Sequence, residues 1–252
     1  MIFCFSGTGN SRWIADTLAR NLKDKVIMIN NDCCERCDVS AGERILWVFP
    51  IYSWGLPPVV KTFIRNLRLN NVETTHYMVC SCGDDIGLAH LQWRKEITHR
   101  GWEAMASYSV IMPNTYTLMK GFDVDAQDIV ASKLQKAVNR VNEIAQKIKS
   151  GVKTDDVKRG SWAWIKTHII YPYFVKFCMS PKPFHVTERC ISCGKCAKEC
   201  PMKNITMPDR RPQWGDNCAM CLRCYHTCPQ HAVEYGKETK FKGQYLHPKK
   251  IE

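Results

Sequence analysis

Eight of the fifteen cysteines in this chain of 252 residues fall in two matching runs. One run begins at Cys190 and the other at Cys218, and both read C-x2-C-x2-C-x3-C-P. Three thiolates with this spacing can surround one iron–sulfur cube, whereas the fourth reaches across to a second cube. The spacing therefore predicts two [4Fe–4S] clusters. One would be held by Cys190, Cys193, Cys196 and Cys228, and the other by Cys218, Cys221, Cys224 and Cys200.

Two other uses of these cysteines fit the pattern less well. A structural zinc site takes four ligands in paired sets and has no need of a repeated triple run followed by proline. Disulfides belong to secreted chains, but the apolar start Met1–Phe5 is too short for a signal peptide. No uninterrupted apolar run reaches the ~18 residues of a membrane span. We therefore expect a protein of the reducing cytoplasm.

A second chemical motif lies near the start of the chain. Ile2–Phe5 is a short apolar run typical of a buried strand, and a helical pattern begins at Arg12. Between them lies the glycine- and hydroxyl-rich loop of residues 6–11, whose backbone N–H groups would face an anion at a helix N-terminus. The loop lacks the Gly-Lys-Ser/Thr of a Walker motif. Arg12 stands where a dinucleotide-binding loop has its third glycine, so we expect a simpler phosphate ligand.

The elements that must position this loop alternate between strand and helix. Further strands are predicted at Val26–Ile29, Arg44–Phe49, Tyr77–Cys80 and within Trp102–Met112, and a long amphipathic helix at Asp125–Lys149. This alternation predicts an α/β fold whose parallel sheet is covered on both faces. Ligands of such sheets bind at the carboxyl ends of the strands, where polar and aromatic loops follow.

At this point the sequence resembles a known family. The first 150 residues resemble flavodoxin-like domains, and the whole chain resembles the flavodoxin–ferredoxin fusion proteins of anaerobic metabolism. The resemblance implies a doubly wound, five-stranded parallel sheet with FMN, followed by a small α+β ferredoxin-like domain with two [4Fe–4S] clusters. The implied divisions are a flavodoxin-like domain at 1–150, an aromatic linker at 151–183, a ferredoxin domain at 184–236 and a basic tail at 237–252.

The same resemblance implies the FMN-binding residues. Those matching the phosphate loop are Ser6, Thr8, Gly9, Asn10 and Ser11. The two loops flanking the isoalloxazine are matched by Tyr52, Ser53, Trp54 and Gly55, and by Cys82, Gly83 and Asp84. Trp54 would stack on the flavin, since a large aromatic ring suits a flat π-surface. A third side would be closed by Asn114 and Tyr116.

The linker is rich in large aromatic residues. They are Trp162, Trp164, Tyr171, Tyr173, Phe174 and Phe177. One interpretation is an amphipathic helix lying on a membrane surface. We favour a helix packed between the domains, because aromatic side chains also fill domain interfaces, and we expect these residues to be buried. The tail from Lys237 is expected to be partly mobile.

Together these patterns predict a carrier of low-potential electrons between FMN, the clusters and redox partner proteins. The formal charge of +12 favours acidic partners. No catalytic pair of side chains is visible, although a flavin reductase acting on a small molecule remains an alternative. Nucleic-acid binding is suggested only by the charge and is not expected, whereas membrane-surface contact and a homodimer stay open. Cys33, Cys34 and Cys37 could bind a further metal, but loop thiols without such a role are expected.

Overall fold

A parallel sheet forms the centre of the first domain, and two small antiparallel ladders lie in the second. The computed structural model describes residues 1–248, and all structural statements below refer to them. The strands are β1 (Ile2–Cys4), β2 (Val26–Met28), β3 (Arg36–Cys37), β4 (Arg44–Pro50), β5 (Arg68–Leu69), β6 (Thr75–Cys82), β7 (Glu103–Ile111), β8 (Asp155–Asp156), β9 (Phe184–Val186), β10 (Ile205–Thr206), β11 (Gln213–Trp214) and β12 (Val233–Tyr235).

The main sheet has the order β2-β1-β4-β6-β7-β8, and every neighbouring pair is parallel. Its central strands are almost wholly buried, as expected for a sheet covered on both faces. The five predicted strands are confirmed. A sixth, β8, pairs with β7 at the edge. The sequence analysis missed β8 because two aspartates in a polar segment carry no apolar pattern.

Helices cover both faces of this sheet. They are α1 (Asn10–Leu22), α2 (Pro58–Asn66), α3 (Ala89–His99) and α4 (Gln127–Lys149). One core joins the sheet to α2 and α3 through side chains such as Phe63 and Trp93. The other joins it to α1 and α4 through Leu18 and Val141. In α4 the buried positions recur every three or four residues, which explains why the sequence predicts this helix so clearly.

The linker forms one continuous helical segment, which we call the linker helix (residues 163–178). It consists of α5 (Ala163–Ile165), a π-helical stretch (Lys166–Ile170), α6 (Tyr171–Tyr173) and a second π-helical stretch (Phe174–Cys178). Thr167, Tyr171 and Phe174 are buried on one face. The expectation that all the linker aromatics pack is wrong, because four of the six are more than half exposed. The exposed residues are Trp162, Trp164, Tyr173 and Phe177.

The second domain is small and centred on Tyr225, which is fully buried. Strand β9 pairs with β12 and β10 with β11, both antiparallel. Its short helices are α7 (Lys195–Lys198) and α8 (Arg223–Thr227). None of the helices within residues 1–248 is long and apolar enough to cross a membrane.

The tail returns to the first domain instead of extending into solvent. Thr239 is fully buried, the Tyr245 side chain is nearly so, and Lys242 Nζ donates to Thr117 O over 2.7 Å. The tail contacts the rest of the chain as far as His247. Its partial mobility stays a prediction, and residues 249–252 lie outside the described part of the chain. The tail is held in place because the Tyr245 hydroxyl and the His247 backbone N–H donate to residues more than 200 positions earlier in the chain.

Candidate functional site

The phosphate-type loop lies between β1 and α1 with its backbone donors directed away from the helix. Gly9 adopts a left-handed conformation with φ of 108°, which starts α1 without strain. The first turn of α1 contains no acidic residue, so nothing opposes an anion there. Residues 7–11 donate no backbone hydrogen bond within residues 1–248, as expected for the open end of a helix. This donor set fits a terminal phosphate.

Three side chains of this loop make hydrogen bonds that hold it in place. Ser11 Oγ lies 2.8 Å from Ser81 Oγ at the end of β6. Asn10 Nδ2 donates to Pro113 O over 3.0 Å, and Asn10 Oδ1 accepts from Tyr245 Oη. Ser6 Oγ accepts from the N–H of Arg12. The backbone N–H groups and the Thr8 hydroxyl are consequently the donors left for a phosphate.

The second predicted loop is a tight turn. Tyr52 and Gly55 exchange both backbone hydrogen bonds, and Ser53 and Trp54 between them have positive φ. The ammonium of Lys166 lies 5.0 Å from the centre of the Trp54 ring. A flavin stacking on Trp54 would therefore use the other face of that ring.

The third group of predicted residues is only partly brought together. Gly83 packs so closely on Asn114 that a Cβ atom at residue 83 would overlap the amide oxygen. Cys82 is buried in the core, and burial raises the pKa of its thiol to about 12. Asp84 is exposed and pairs with Lys158 at 2.7 Å. Tyr116 instead packs on Phe174 and the core of the second domain.

The eight motif cysteines surround two cavities. One cavity, which we call the outer cavity, is lined by Cys190, Cys193, Cys196 and Cys228. The other, which we call the inner cavity, is lined by Cys200, Cys218, Cys221 and Cys224. The sets are the two groups of four that the spacing predicts, each with its fourth thiol taken from the other run. Within residues 1–248, no three His, Cys, Asp or Glu side chains converge on a point that would hold a single metal ion.

The backbone around the two cavities repeats. Residues at corresponding places in the two runs have positive φ: Ser192 with Met220, Gly194 with Leu222, and Lys203 with His231. Alternation between left- and right-handed conformations turns successive N–H groups inward, which makes a concave anion site of the type found around iron–sulfur clusters. Left-handed φ costs energy in a residue other than glycine, so its recurrence indicates a shared function.

Backbone donors also reach the sulfur atoms. Asn204 N–H donates to Cys200 Sγ over 3.4 Å, and Ala232 N–H donates to Cys228 Sγ over 3.3 Å, the same four-residue offset in both runs. These bonds favour thiolates. Burial has the opposite effect, since it raises the pKa of Cys221 to about 12. A thiol buried in this way becomes a ligand when a cation offsets the loss of hydration.

The inner cavity lies against the phosphate loop. A Cβ atom on Gly7 would overlap the carbonyl oxygen of Cys221, and Arg223 Nη1 donates to Gly7 O over 3.1 Å. Tyr52 Oη is buried and has no hydrogen-bond partner within residues 1–248, and burial together with nearby Cys221 and Cys218 raises the Tyr52 pKa. Two loops predicted to bind flavin therefore contact the domain that carries the cysteines.

The tail covers the other side of the loop. The N–H of His247 donates to Thr8 O over 2.9 Å, its ring stacks on Trp13, and its Cβ stands beside Gly9. His247 Nε2 is buried and has no hydrogen-bond partner in residues 1–248. The sequence analysis missed Arg223, Tyr245 and His247. Nothing in their local sequence indicates a contact with a loop more than 200 residues earlier.

Comparison with protein families finds a match in each half of the chain. A flavodoxin domain model matches residues 1–115, and a 4Fe-4S dicluster domain model matches residues 182–229. A search among curated proteins found no match to the chain. The fold and the two matches define an electron-transfer protein built from a flavodoxin domain and an iron–sulfur domain. More particularly, their order along the chain makes it a flavodoxin–ferredoxin fusion. The first domain indicates FMN as a cofactor, and the second indicates 4Fe-4S chemistry.

Within residues 1–248, Cys33, Cys34 and Cys37 do not form part of a group of three or more side chains placed to hold a metal ion. They lie in and before β3, Cys34 is exposed, and the Cys33 thiol donates to Cys34 O.

His226 is part of neither cavity lining. Its Nε2 lies 2.8 Å from Thr115 O and its Nδ1 accepts from the N–H of Tyr245, so it joins the two domains and the tail.

Proposed function

We propose that this protein carries electrons between FMN and two [4Fe–4S] clusters and then to a separate redox protein. The observation that carries the proposal is the contact between Gly7 of the phosphate loop and Cys221 of the inner cavity. FMN accepts one or two electrons and each cluster accepts one, so the pair converts between two- and one-electron chemistry. Holding both sites on one chain removes the need for a diffusional encounter.

The proposed roles of the residues follow from their positions. The backbone of residues 7–11 and the Thr8 hydroxyl would hold the phosphate. The inner cavity would take the cluster nearer the flavin, because its lining residue Cys221 contacts the loop. Arg223 donates to Gly7 O and also to Glu199 over 3.0 Å. This bridging arginine positions the inner cavity against the phosphate loop.

The outer cavity would take the cluster that exchanges electrons with the partner. Cys193 in its lining is exposed, and so is Ile191 beside it. Lys195, also in the lining, and Lys198 belong to α7. With the net charge of +12, these groups favour an acidic redox partner, which charge complementarity would steer to this end of the molecule.

Cofactor content and reduction kinetics test the proposal. Protein purified without oxygen should contain about eight iron atoms and one FMN per chain. Reduction through the flavin should be followed by reduction of both clusters within one molecule, at a rate independent of protein concentration. A content near four iron atoms, or zinc without acid-labile sulfide, would contradict the two-cluster assignment. Saturable turnover of a small molecule would favour the flavin reductase instead.

The phosphate loop is tested by Thr8→Glu. The carboxylate would stand where the phosphate is proposed to bind, so we expect flavin binding to be lost through like-charge repulsion. Flavin content after anaerobic purification is the measurement, with iron content to show that the second domain is intact. Thr17→Glu, the same change farther along α1, is the matched control and should retain flavin. Full flavin occupancy in the Thr8 variant would rule out this loop as the phosphate site.

A further inference from the structure

The linker helix presents a broad apolar face to solvent. Exposed fractions are 75% for Trp162, 60% for Trp164, 55% for Ile169, 62% for Tyr173 and 59% for Phe177. Five large exposed apolar side chains within 16 residues of sequence concentrate apolar surface along this one segment. Soluble surfaces rarely keep such a patch without a binding role.

The opposite face of the helix is fixed to the flavodoxin domain. Tyr171 Oη donates to Leu56 O over 2.6 Å, and its ring lies directly against Gly55. Thr167 Oγ1 donates to Trp54 O over 2.9 Å. Lys166 Nζ pairs with buried Asp85 at 2.6 Å. The helix therefore cannot roll to hide its aromatic face without losing these bonds.

The charge of this region has one sign. From residue 157 to residue 187 the sequence contains no Asp or Glu. The same stretch contains Lys158, Arg159, Lys166, Lys176 and Lys182. Lys158 and Lys166 pair with acidic residues of the flavodoxin domain, whereas Lys176 and Lys182 have no carboxylate within their own segment. The segment that carries the exposed aromatic residues thus contributes positive charge alone.

We propose that the linker helix docks this protein on an anionic lipid bilayer, lying in the plane of the membrane surface. Trp and Tyr rings prefer the headgroup level of a bilayer, and aliphatic side chains such as Ile169 reach the acyl boundary. Lysines beside them bind anionic headgroups while their apolar stems stay near the surface. Because no helix in residues 1–248 could cross the membrane, this attachment is peripheral.

A second copy of the chain fits the same face poorly. A two-fold contact through this segment would place Lys176 and Lys182 of each copy in or beside the interface, and the same segment of the partner supplies no carboxylate to pair with them. An anionic lipid surface supplies the missing negative charge and accepts the aromatic side chains at once. Charge complementarity therefore favours the bilayer.

Vesicle flotation tests the proposal with the full chain. The parent protein should float with vesicles of phosphatidylcholine and phosphatidylglycerol, float less with phosphatidylcholine alone, and detach as salt concentration rises. Ile169→Glu combined with Phe177→Glu should weaken partitioning by at least about tenfold. The matched control is Val72→Glu with Phe241→Glu, which alters two apolar side chains that are 62% and 89% exposed elsewhere. The control should bind like the parent.

Three outcomes would overturn the proposal. The first is a parent protein that binds neither type of vesicle. The second is equal binding by the linker variant and the parent. The third is a concentration-dependent dimer, seen by sedimentation, that the linker variant abolishes, because a second copy would then cover the face. Unchanged flavin and iron content in every variant shows that a loss of binding does not reflect unfolding.

Discussion

Gly7 is the residue through which the phosphate loop touches the iron–sulfur domain. Gly7→Ala adds a carbon that overlaps the Cys221 carbonyl, so either the loop or the inner cavity must move. Overpacking of this kind costs about 1–3 kcal/mol. We expect a lower free energy of unfolding and slower reduction of the clusters through the flavin, measured by stopped flow.

The control is Gly215→Ala in the iron–sulfur domain. Its added carbon meets first the Asn204 side-chain oxygen at 3.1 Å, so it needs a smaller shift than the carbon added at Gly7, which would overlap the Cys221 carbonyl oxygen. A Gly7→Ala protein with the kinetics of the Gly215→Ala protein would show that electron transfer does not depend on this contact.

Buried His76 should make the free energy of unfolding of the flavodoxin domain sensitive to acid. Its Nδ1 accepts from Trp47 Nε1 and its Nε2 lies 2.9 Å from Thr74 Oγ1, so the buried ring is neutral. Burial lowers the pKa of His76 to about 3, whereas an unfolded histidine titrates near about 6.5. Between these values the unfolded chain binds more protons. The free energy of unfolding should therefore fall with decreasing pH, by at most about 1.4 kcal/mol per pH unit.

Urea unfolding at a series of pH values measures this contribution. His76→Gln removes the titrating group and should reduce the slope over the same pH window. His99→Gln changes an exposed histidine and should leave the slope as it is in the parent. Equal slopes in all three proteins would show that His76 does not contribute.

At the scale of elements, the linker helix provides a matched pair of tyrosines. Tyr171 is buried against Gly55, whereas Tyr173, two residues later, is 62% exposed. Tyr171→Ala should lower the free energy of unfolding by about 3–5 kcal/mol, because a large buried ring and its hydrogen bond are lost. Tyr173→Ala should change it by less than about 0.5 kcal/mol. Hydrogen exchange of the linker amides would show whether the helix detaches; similar protection in both variants would contradict the assigned packing.

Elements were predictable where the information is local. The strand of β4 and the helix of α4 follow from runs and periods within a few residues, and each cysteine run carries its own ligand spacing. The exposed face of the linker helix was not predictable in this way. Burial of an aromatic residue depends on what covers it, and the pattern at Trp162 and Trp164 looks the same for a domain interface and a free surface. The buried face of the linker helix is the one that contacts the flavodoxin domain at Gly55 and Gly87, and these glycines lie far from the helix in sequence.

At the scale of the molecule, the tail closes the phosphate loop. Tyr245→Phe with His247→Ala would remove the hydroxyl that donates to Asn10 and the ring that stacks on Trp13. Losing about 1–1.5 kcal/mol of hydrogen bonding and packing corresponds to roughly tenfold faster release of bound flavin. Flavin fluorescence after dilution measures the rate. Leu246→Ala, between the two, should release flavin as the parent does, and equal rates in all three would mean that the tail is no barrier.

Contacts such as Arg223 with Gly7 and His247 with Thr8 join residues more than 200 positions apart. No local pattern predicts them, since each depends on how two folded domains settle against each other. The two groups of four cysteines and the loop could be predicted from the sequence, but their adjacency could not. This contact between the loop and the cysteine-bearing domain joins the two domains into one electron-transfer protein.

The closed phosphate loop has a consequence for how the protein matures. The iron–sulfur domain buries little apolar surface, so metal binding must supply much of its folding energy. Gly7 is covered by this domain and Gly9 by the tail that leaves it, so the cover exists only when that domain is folded. Flavin bound at this loop before the clusters assemble would be retained, whereas flavin that arrives afterwards would enter slowly. A chain without iron would lack this cover, so we expect it to release flavin faster.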